Sequence, residues 1–500
     1  MNKKVKILLS CIITLLITVS MLGHLTNLLE RKASKAKYAD FFSQKEDFNV
    51  LFFGTSHVVN GIFPMELWDD FGIVSYNLGG HSNQMATTYW TMENALDYTT
   101  PDLVVIDCLQ VSTNWKTSDV FSFVHLSFDA FPLTTTKIKA IWDLIDDPYL
   151  EKAVENGTAR VSDEPRTKIG LLWDYSVYHN RWTELEMNDF ETEVNLEKGA
   201  EARVNVKRAE LKKIDPSEKM KPGRVGETYL RKMIEDCQRR GIEVLLVFLP
   251  FPASSGQQKD ANYIYDLAKE YNVNYINFLD MDIINYQTDL YDVSSHLNPS
   301  GSTKVTHYLG EYIMSHYSVP NQKDNEKYAS WNTDYQKYTE YRDNILSSQT
   351  NLVYYLMLLS CEKANIIIDV RDKSLYKNAW IMDLINNIGV YDKPVTKNTD
   401  FIIKLEGSDK IIVLDDFRTD GCTINTSLGK INYTIDLSNG ETGTYSLLLG
   451  EKALITGNAD LSSGLTVLVK RDDAVIDNVQ FTYTVNSKTN NVSVSSVTRE

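Results

Sequence analysis

Five short apolar runs follow one another along the chain after its first fifty residues, and each ends in polar or turn-forming residues. These runs are Val50–Ser56, Ile73–Leu78, Leu103–Asp107, Val244–Leu249 and Tyr275–Leu279. Helical patterns such as "ATTYWTMENALDYTT" and "GETYLRKMIEDCQRRG" separate several of them. Continuous apolar strands that alternate with helices are typical of a parallel sheet with both faces covered. The pattern therefore predicts an α/β domain built on five parallel strands.

Two later stretches depart from this alternation. Residues 112–222 are rich in charged and aromatic side chains, and we interpret them as an insertion with its own helices. Residues 321–350 are polar and close the domain as a linker plus a helix. The predicted organisation is an anchor over 1–30, an α/β domain over 45–320, the linker over 321–350 and an accessory domain over 351–500.

The accessory domain has the pattern of β-strands. In "LTVLVKRDDAVIDNVQFTYTV" the apolar residues Val479, Phe481, Tyr483 and Val485 alternate with polar ones, as in a half-buried strand. This stretch predicts a hairpin in a mostly β domain without a catalytic constellation. Sugar binding, partner binding and a structural spacer all remain open as its role.

The N-terminus carries a long uncharged run. "ILLSCIITLLITVSMLG" extends from Ile7 to Gly23 behind three lysines, and it is about long enough to cross one bilayer as a helix. A cleaved signal peptide is the alternative, but no A-x-A-like site follows the run. We predict an uncleaved, single-pass anchor in the cell membrane with the catalytic domain on its extracytoplasmic side. Basic residues flank both ends of the run, so charge gives the orientation only weak support.

Composition narrows the class of protein. A chain of 500 residues exceeds one ordinary core and implies two or three domains, and 43% hydrophobic residues are enough to fold them. The formal net charge of −16 argues against a nucleic-acid partner. The cysteines form neither a CxxC motif nor a Cys/His cluster, which supports no zinc site and no disulfide framework. The five positions are Cys11, Cys108, Cys237, Cys361 and Cys422.

Chemistry-bearing residues follow the predicted strands. Ser56 ends the first strand in "VLFFGTSHVVNG", while Asp292 and His296 lie in "LYDVSSHLNPSG" before the last helix of the domain. A serine nucleophile needs a base, and a carboxylate usually orients that base. The carboxyl ends of parallel strands meet at one edge of the sheet, so these loops can meet. The Ser56 N–H and the amides of Gly79 or Gly80 in "YNLGG" are candidate donors for an oxyanion.

Each of these residues also has a purely structural interpretation. Ser56 could be an ordinary turn residue, and Asn298 could simply cap the following helix. His57 could be a surface or packing side chain beside the site, or a substrate contact. His179 and Arg181 in "YHNRW" could be packing and salt-bridge residues, or substrate contacts.

Three blocks, taken in this order, resemble the SGNH/GDSL hydrolase superfamily. Gly54-Thr55-Ser56-His57 resembles its G-D-S block with Ser56 as nucleophile, and Gly79 or Gly80 resembles its oxyanion glycine. Asp292 and His296 resemble the last block, with His296 as base. The resemblance implies a flavodoxin-like sheet with the strand order 2-1-3-4-5, over residues 49–317.

The phrases "FFGTSH", "YNLGG" and "YDVSSHLNPSG" resemble one branch of this superfamily more closely. That branch is membrane-anchored and extracytoplasmic, and it includes alginate O-acetylation proteins and the accessory protein of teichoic-acid D-alanylation. The resemblance implies O-acyl transfer on a cell-envelope polysaccharide, without a metal or cofactor, beside a membrane-bound O-acyltransferase. A sugar hydroxyl as acceptor makes a transferase and water makes an esterase, and the sequence does not separate them.

The chain departs from the superfamily pattern at three points. Thr55 replaces the aspartate before the serine, and the usual D-x-x-H spacing is one residue longer, which leaves Asp289 as an alternative to Asp292. The Gly-x-Asn block is absent after "LVVIDC". Its missing donor could come from one of three side chains, Asn83, Gln84 or Asn114.

These departures support a second hypothesis of another class. The chain could be a non-catalytic anchored scaffold, or a polysaccharide-binding protein, on a degenerate hydrolase fold. Geometry discriminates the two hypotheses: Ser56 Oγ close to His296 favours the enzyme, and His296 turned into solvent or the core favours the scaffold.

Overall fold

The chain folds into two compact units, each assembled from several segments. The first consists of the residues up to Arg203 together with Glu210–Ile284 and Val293–Tyr338, and the second of Val204–Ala209, Asn285–Asp292 and the residues from Thr339 onward. The second unit therefore includes two short segments from within residues 45–320. The computed structural model describes residues 3–30, 32–158, 160–161, 166–173, 175–190, 195–294, 296–408, 410–415, 422–426, 429–436, 443–449, 451–459, 464–472, 474–486 and 491–499.

The sheet of the first unit is parallel throughout its described strands. The strands are β1 Val50–Phe53, β2 Ser75–Asn77, β3 Leu103–Asp107, β4 Glu243–Phe248 and β5 Asn274–Asn277. Their order is β2-β1-β3-β4-β5, and each neighbouring pair is parallel. Every residue of β1 and β3 is buried, so both faces of the sheet are covered, because successive side chains point to opposite faces. The predicted fold class and strand order are confirmed.

Helices account for most of the remaining regular structure in this unit, and several of them lie in the stretch 112–222. Their bounds are α1 Lys3–Leu29, α2 Lys32–Ser43, α3 Ser56–Gly61, α4 Pro64–Phe71, α5 Met85–Leu96, α6 Ser122–Phe128, α7 Thr135–Ile145, α8 Pro148–Glu155, α9 Lys168–Leu172, α10 Tyr175–Tyr178, α11 Val225–Arg240, α12 Ser255–Tyr271, α13 Pro299–His316 and α14 Ala329–Ser347, the last of which continues into the second unit.

Local sequence signals end and begin these helices. α11 ends at Gly241, whose φ of +75° is the left-handed conformation that glycine adopts without strain. α13 begins with Pro299 at its first turn, and the Asn298 side chain accepts a hydrogen bond from the Gly301 N–H. The interpretation of Asn298 as a helix cap is confirmed.

The second unit is mostly β, as predicted. One sheet has the order β16-β15-β14-β6-β8-β9-β7, and another has the order β10-β11-β12-β13. The strands are β6 Asn365–Val370, β7 Val390–Tyr391, β8 Thr399–Lys404, β9 Lys410–Asp415, β10 Cys422–Thr426, β11 Gly429–Asp436, β12 Gly443–Leu449, β13 Lys452–Ala459, β14 Leu465–Arg471, β15 Ala474–Asn486 and β16 Asn491–Arg499, with helices α15 Leu352–Leu359 and α16 Ala379–Asn386. β14 and β15 form the predicted antiparallel hairpin, in which Val479, Phe481 and Tyr483 are buried.

α1 is long and apolar enough to cross a membrane. It has 27 residues, its most apolar window has a mean hydropathy of 2.4, and no part of that window is buried against the protein. The helix extends the predicted apolar run at both ends. This conclusion rests on the length and the composition of α1.

Charges placed in the middle of α1 should release the protein from membranes. We expect the full chain to stay in the membrane fraction during alkaline carbonate extraction, and Leu15→Asp with Leu16→Asp to move it to the supernatant. Each such charge costs about 2.5 to 3.5 kcal/mol of insertion free energy at a helix centre. Leu15→Phe with Leu16→Phe is the control. A membrane-bound protein whose N-terminus begins after Gly23 would contradict an uncleaved anchor.

Candidate active site

Ser56 is presented by a tight turn at the carboxyl end of β1. It is the first residue of α3, and the preceding Thr55 caps that helix by accepting a hydrogen bond from the His57 N–H at 3.1 Å. Gly54 has a φ of +156°, and a Cβ at this position would lie 2.7 Å from the Asp107 Cβ. Only glycine fits this approach. The turn therefore places Ser56 at the sheet edge where ligands of α/β proteins bind.

His296 lies against Ser56, although 240 residues separate them in the chain. The Ser56 Oγ and the His296 Nε2 are 2.8 Å apart, within hydrogen-bond distance. His296 lies three residues before the start of α13. This helix is tied to α3 because the Ser302 hydroxyl donates to the Asn60 carbonyl at 2.6 Å. The packing of these two helices brings the predicted nucleophile and base together.

His57 is packed inside the site. Its side chain is 7% exposed, and its ring meets Phe251 edge-on with the ring centres 4.6 Å apart. The centre of the His296 imidazole lies 5.5 Å from that of His57. His57 therefore forms part of the wall beside the base and is not a surface side chain.

The glycines after β2 use their amides within the protein. Gly79 N–H donates to the Asn77 side-chain oxygen at 3.1 Å, and Gly80 N–H donates to the Gly54 carbonyl at 3.0 Å. Both amides therefore have an acceptor within the protein, and their role as oxyanion donors stays a prediction. The Ser56 N–H, in contrast, has no acceptor among the residues that the structure describes.

Asn83 presents a buried donor beside this turn. Its side chain is 3% exposed, and its Oδ1 accepts from the Ser127 hydroxyl at 2.8 Å. Its Nδ2 has no hydrogen-bond partner within the described ranges. A Cβ on Gly80 would lie 2.3 Å from that nitrogen, so the amide packs directly on the glycine turn. A buried donor without an acceptor is costly, which makes Asn83 available to a bound oxygen.

Gln84 and Asn114 are the two other candidates for the missing oxyanion donor. Gln84 Nε2 donates to the Ser82 carbonyl at 3.4 Å. Asn114 is exposed, and its Oδ1 accepts from the Arg224 guanidinium at 3.0 Å. Of the three side chains considered, Asn83 combines burial with an unused N–H.

Asp289 and Asp292 are the two candidates for the carboxylate that orients His296. Asp289 is fully buried, and its carboxylate accepts from the Asn285 N–H at 2.7 Å and from the Asn387 amide at 2.9 Å. These bonds assign it a structural role within the second unit. Asp292 lies four residues before His296 in the chain, and its role as the orienting carboxylate stays a prediction.

Arg181 stabilises the end of α1. Its guanidinium donates to the carbonyls of Leu29 and Glu30, and it forms an ion pair with Asp189 at 3.0 Å. A cation at a helix C-terminus complements the helix dipole. The exposed His179 bonds through Nδ1 to a backbone carbonyl of its own turn. A substrate contact of either residue stays a prediction.

Asp107, at the end of β3, contributes to the site in a way that the sequence analysis missed. It is 1% exposed, and it accepts a hydrogen bond from the Thr55 hydroxyl at 3.4 Å. Burial raises the pKa of Asp107 to about 7. Hydrogen bonds from the amides of Leu249 and Leu109 favour the charged carboxylate and oppose this shift. A signal was present in the sequence: a carboxylate ends an otherwise apolar strand at the edge where Ser56 lies.

Lys37 was also missed, and it holds the other side of the glycine turn. Its Nζ donates to the Gly79 carbonyl at 2.8 Å and to the Gly199 carbonyl at 2.9 Å. Burial lowers its pKa to about 7, while the negative charge of Glu201 opposes the shift. Nothing in the local pattern of α2 distinguishes this lysine from a solvated one.

A charged cluster flanks α3 on this side. Glu201 pairs with His81 at 3.1 Å and with Arg203 at 3.0 Å, and its backbone carbonyl accepts from the Asn60 amide at 2.8 Å. The hydrogen bond from His81, helped by Arg203, lowers the pKa of Glu201 to about 2. The cluster places a carboxylate and two basic side chains beside α3, the helix that begins at Ser56.

No metal site is evident in the described part of the chain. No group of three or more His, Cys, Asp or Glu residues there is arranged to hold an ion. Cys108 and Cys237 are buried free thiols.

Comparisons with known proteins add little to this geometry. No family model matches the chain, and no curated protein matches it. Among solved structures, the chain is similar to that of a protein described as lipolytic and of the G-D-S-L family, from Desulfitobacterium hafniense DCB-2. The match has 13% sequence identity and a TM-score of 0.26, and it covers 52% of this chain and 97% of the other. A similarity at this level establishes no activity, and the chemistry below is argued from the site.

Replacing Lys37 should change how stability depends on pH. The unfolded chain keeps this proton up to about pH 10.5, whereas the folded chain releases it near pH 7. Between these values the unfolded state binds more protons, so the unfolding free energy rises with pH, by up to about 1.4 kcal/mol per pH unit. Lys37→Met should lack this rise.

The measurement is denaturant unfolding of the full chain in detergent at pH 6.5, 8 and 9.5. The exposed Lys45→Met is the matched control and should follow the wild-type curve. Parallel curves for wild type and Lys37→Met would contradict a proton released near neutral pH.

Proposed function

We propose that this protein is an extracytoplasmic, serine-dependent O-acyltransferase or acylesterase that acts on a cell-envelope polysaccharide. The observation that carries the proposal is the 2.8 Å contact between Ser56 Oγ and His296 Nε2 at the ligand-binding edge of a parallel sheet. A serine with a base in hydrogen-bond contact is the minimal arrangement for nucleophilic catalysis. A scaffold would require neither this contact nor the unused buried donor of Asn83.

Catalysis proceeds in two displacements. The Ser56 hydroxyl gives its proton to His296 Nε2 while its oxygen attacks the acyl carbonyl, and the resulting imidazolium protonates the departing alkoxide. An acyl-enzyme ester remains on Ser56. A sugar hydroxyl or water then gives its proton to His296 Nε2 while its oxygen attacks that ester, and the imidazolium returns the proton to the departing Ser56 oxygen, which restores the serine. Asp292, in this proposal, accepts the other imidazole N–H and keeps Nε2 unprotonated in the resting enzyme.

The oxyanion of each tetrahedral intermediate needs preorganised donors. We assign this role to the Ser56 N–H and the Asn83 Nδ2, because neither has an acceptor among the described residues. The glycine turn on which Asn83 packs is bonded to Gly54, two residues before Ser56. Gly79 and Gly80 support this arrangement indirectly, because their hydrogen bonds fix the turn on which Asn83 packs. Removal of a single such donor typically slows turnover by about 100- to 1,000-fold.

The membrane helix supports the choice of substrate class. An apolar α1 would keep the nucleophile near the bilayer, where a membrane-bound O-acyltransferase could deliver the acyl group. The resemblance of the three sequence blocks supports a polysaccharide acceptor outside the cell. Water as the alternative acceptor would give an esterase with the same first step.

Substitutions at the two reacting residues should abolish acylation and leave folding intact. Ser56→Ala and His296→Ala should block labelling by a fluorophosphonate probe and hydrolysis of p-nitrophenyl acetate, because an unassisted serine is a poor nucleophile at neutral pH. Asn83→Ala should still label but should reduce kcat by about 100- to 1,000-fold. Polymer-linked acyl groups, measured in cells at equal protein level, should fall in parallel.

Ser315→Ala and His316→Ala are the matched controls, since both residues are exposed at the far end of α13. They should behave as wild type in each assay. Full polymer acylation by Ser56→Ala at normal abundance would rule out the enzyme and leave the scaffold.

The two aspartates should separate into a catalytic and a structural role. Asp292→Asn should lower kcat with little change in unfolding free energy, because it supplies only orientation to the imidazole. Asp289→Asn should lower the unfolding free energy by about 1 to 3 kcal/mol, because it weakens buried hydrogen bonds. Turnover and denaturant unfolding, measured on the same preparations, test both. Loss of turnover in Asp289→Asn alone, at wild-type stability, would transfer the triad role to Asp289.

A further inference from the structure

The second unit contains a cavity that the proposed chemistry does not use. Its volume is about 370 Å³. It is lined by the short 3-10 helix Lys373–Lys377, by Met382 of α16 and by residues 395–397. Three of the lining side chains are lysines and none is acidic. This composition is unusual in a chain whose formal net charge is −16.

Two of the three lysines have no counter-charge. Lys373 is paired with the buried Asp400 at 2.7 Å and also donates to the Thr399 carbonyl. Lys377 and Lys397 are exposed, and neither has an acidic partner among the residues that the structure describes. The cavity rim therefore keeps two uncompensated positive charges.

Two aspartates of neighbouring segments, Asp415 and Asp372, already have partners of their own. Asp415 pairs with Lys393 at 2.8 Å and accepts from the Thr399 hydroxyl at 2.7 Å. Asp372 accepts the Ser374 N–H at 2.9 Å and so caps the 3-10 helix. Both acids are therefore held by partners other than Lys377 and Lys397.

One wall of the cavity is apolar and fixed. Tyr376 donates its hydroxyl to the Thr399 carbonyl at 2.9 Å, which holds the ring in place, while Met382 and Val395 add aliphatic surface. Ligand sites combine such apolar walls with a few convergent polar groups, in volumes of roughly 300 to 1,000 Å³. The volume found fits a ligand of one or two sugar or polyol units.

We propose that this cavity binds an anionic carbohydrate or polyol ligand. The ammonium groups of Lys377 and Lys397 would bind its phosphate or carboxylate groups, and the Tyr376 wall would contact its carbon skeleton. The second unit would thereby hold an acidic polymer chain. This inference does not depend on the chemistry of Ser56.

Binding can be measured by titration calorimetry on the full chain in a non-ionic polyoxyethylene detergent. The probes are a glycerol phosphate trimer, a galacturonate trimer and neutral maltotriose. We expect at least one anionic probe to bind and maltotriose not to bind. The affinity should fall as salt rises from 50 to 300 mM, because salt screens exposed charges. Binding of only one anionic probe identifies the acid group.

Paired lysine variants test the position of the site. Lys377→Gln with Lys397→Gln should weaken binding at least tenfold, and Lys377→Arg with Lys397→Arg should retain it. Lys410→Gln with Lys430→Gln removes the same charge at exposed positions outside the cavity and should bind as wild type.

Failure of this proposal is distinguishable from failure of the proposed reaction. Ser56→Ala should bind the anionic probe unchanged, and the Lys377/Lys397 glutamine pair should hydrolyse p-nitrophenyl acetate at the wild-type rate. No binding of either anionic probe would overturn the proposal. Equal weakening by the cavity pair and the control pair would also overturn it, since binding would then follow net charge alone.

Discussion

The parallel arrangement of the five strands is the constraint on which the rest of the site depends. Because all carboxyl ends face one edge, the turn after β1, the last residue of β3 and the loop after β4 meet there, with Ser56, Asp107 and Phe251. The approach of α13 to α3 then sets His296 against Ser56. Two side chains that are 240 residues apart in sequence become neighbours without any local signal that joins them.

A second constraint is the complete use of backbone polar groups in the glycine turn. The N–H and C=O groups of Gly79 and Gly80 bond to Asn77, Lys37, Gly54 and Asn83. A turn held at all four groups is rigid, because any movement would leave a buried polar group without its partner. That rigidity also holds Asn83 in place, because its own N–H donates to the Gly80 carbonyl at 3.2 Å.

Periodic features of the chain were predictable, and long-range hydrogen bonds were not. Strand β3 matches its predicted bounds, whereas β2 is only Ser75–Asn77 within the apolar run 73–78, because pairing with β1 spans only three residues. Ser56 and His296 were identifiable because their blocks lie beside strand and helix ends. Lys37 and the acceptors of the glycine amides were not, since the partner of a buried polar group depends on how distant segments pack.

The connection between α1 and the site is short and bonded at both of its ends. Arg181 binds the carbonyls that end α1, and Lys37, eight residues beyond Leu29, binds the glycine turn beside Ser56. A flexible linker would leave the glycine turn free to move relative to the end of α1, whereas these bonds restrict that movement. In the proposed reaction, acyl transfer from a donor in the membrane would benefit from such restriction, because positioning converts an encounter between two bodies into a step within one assembly. Arg181 and Lys37, which both bind backbone carbonyls, therefore fix the end of α1 relative to the turn beside Ser56.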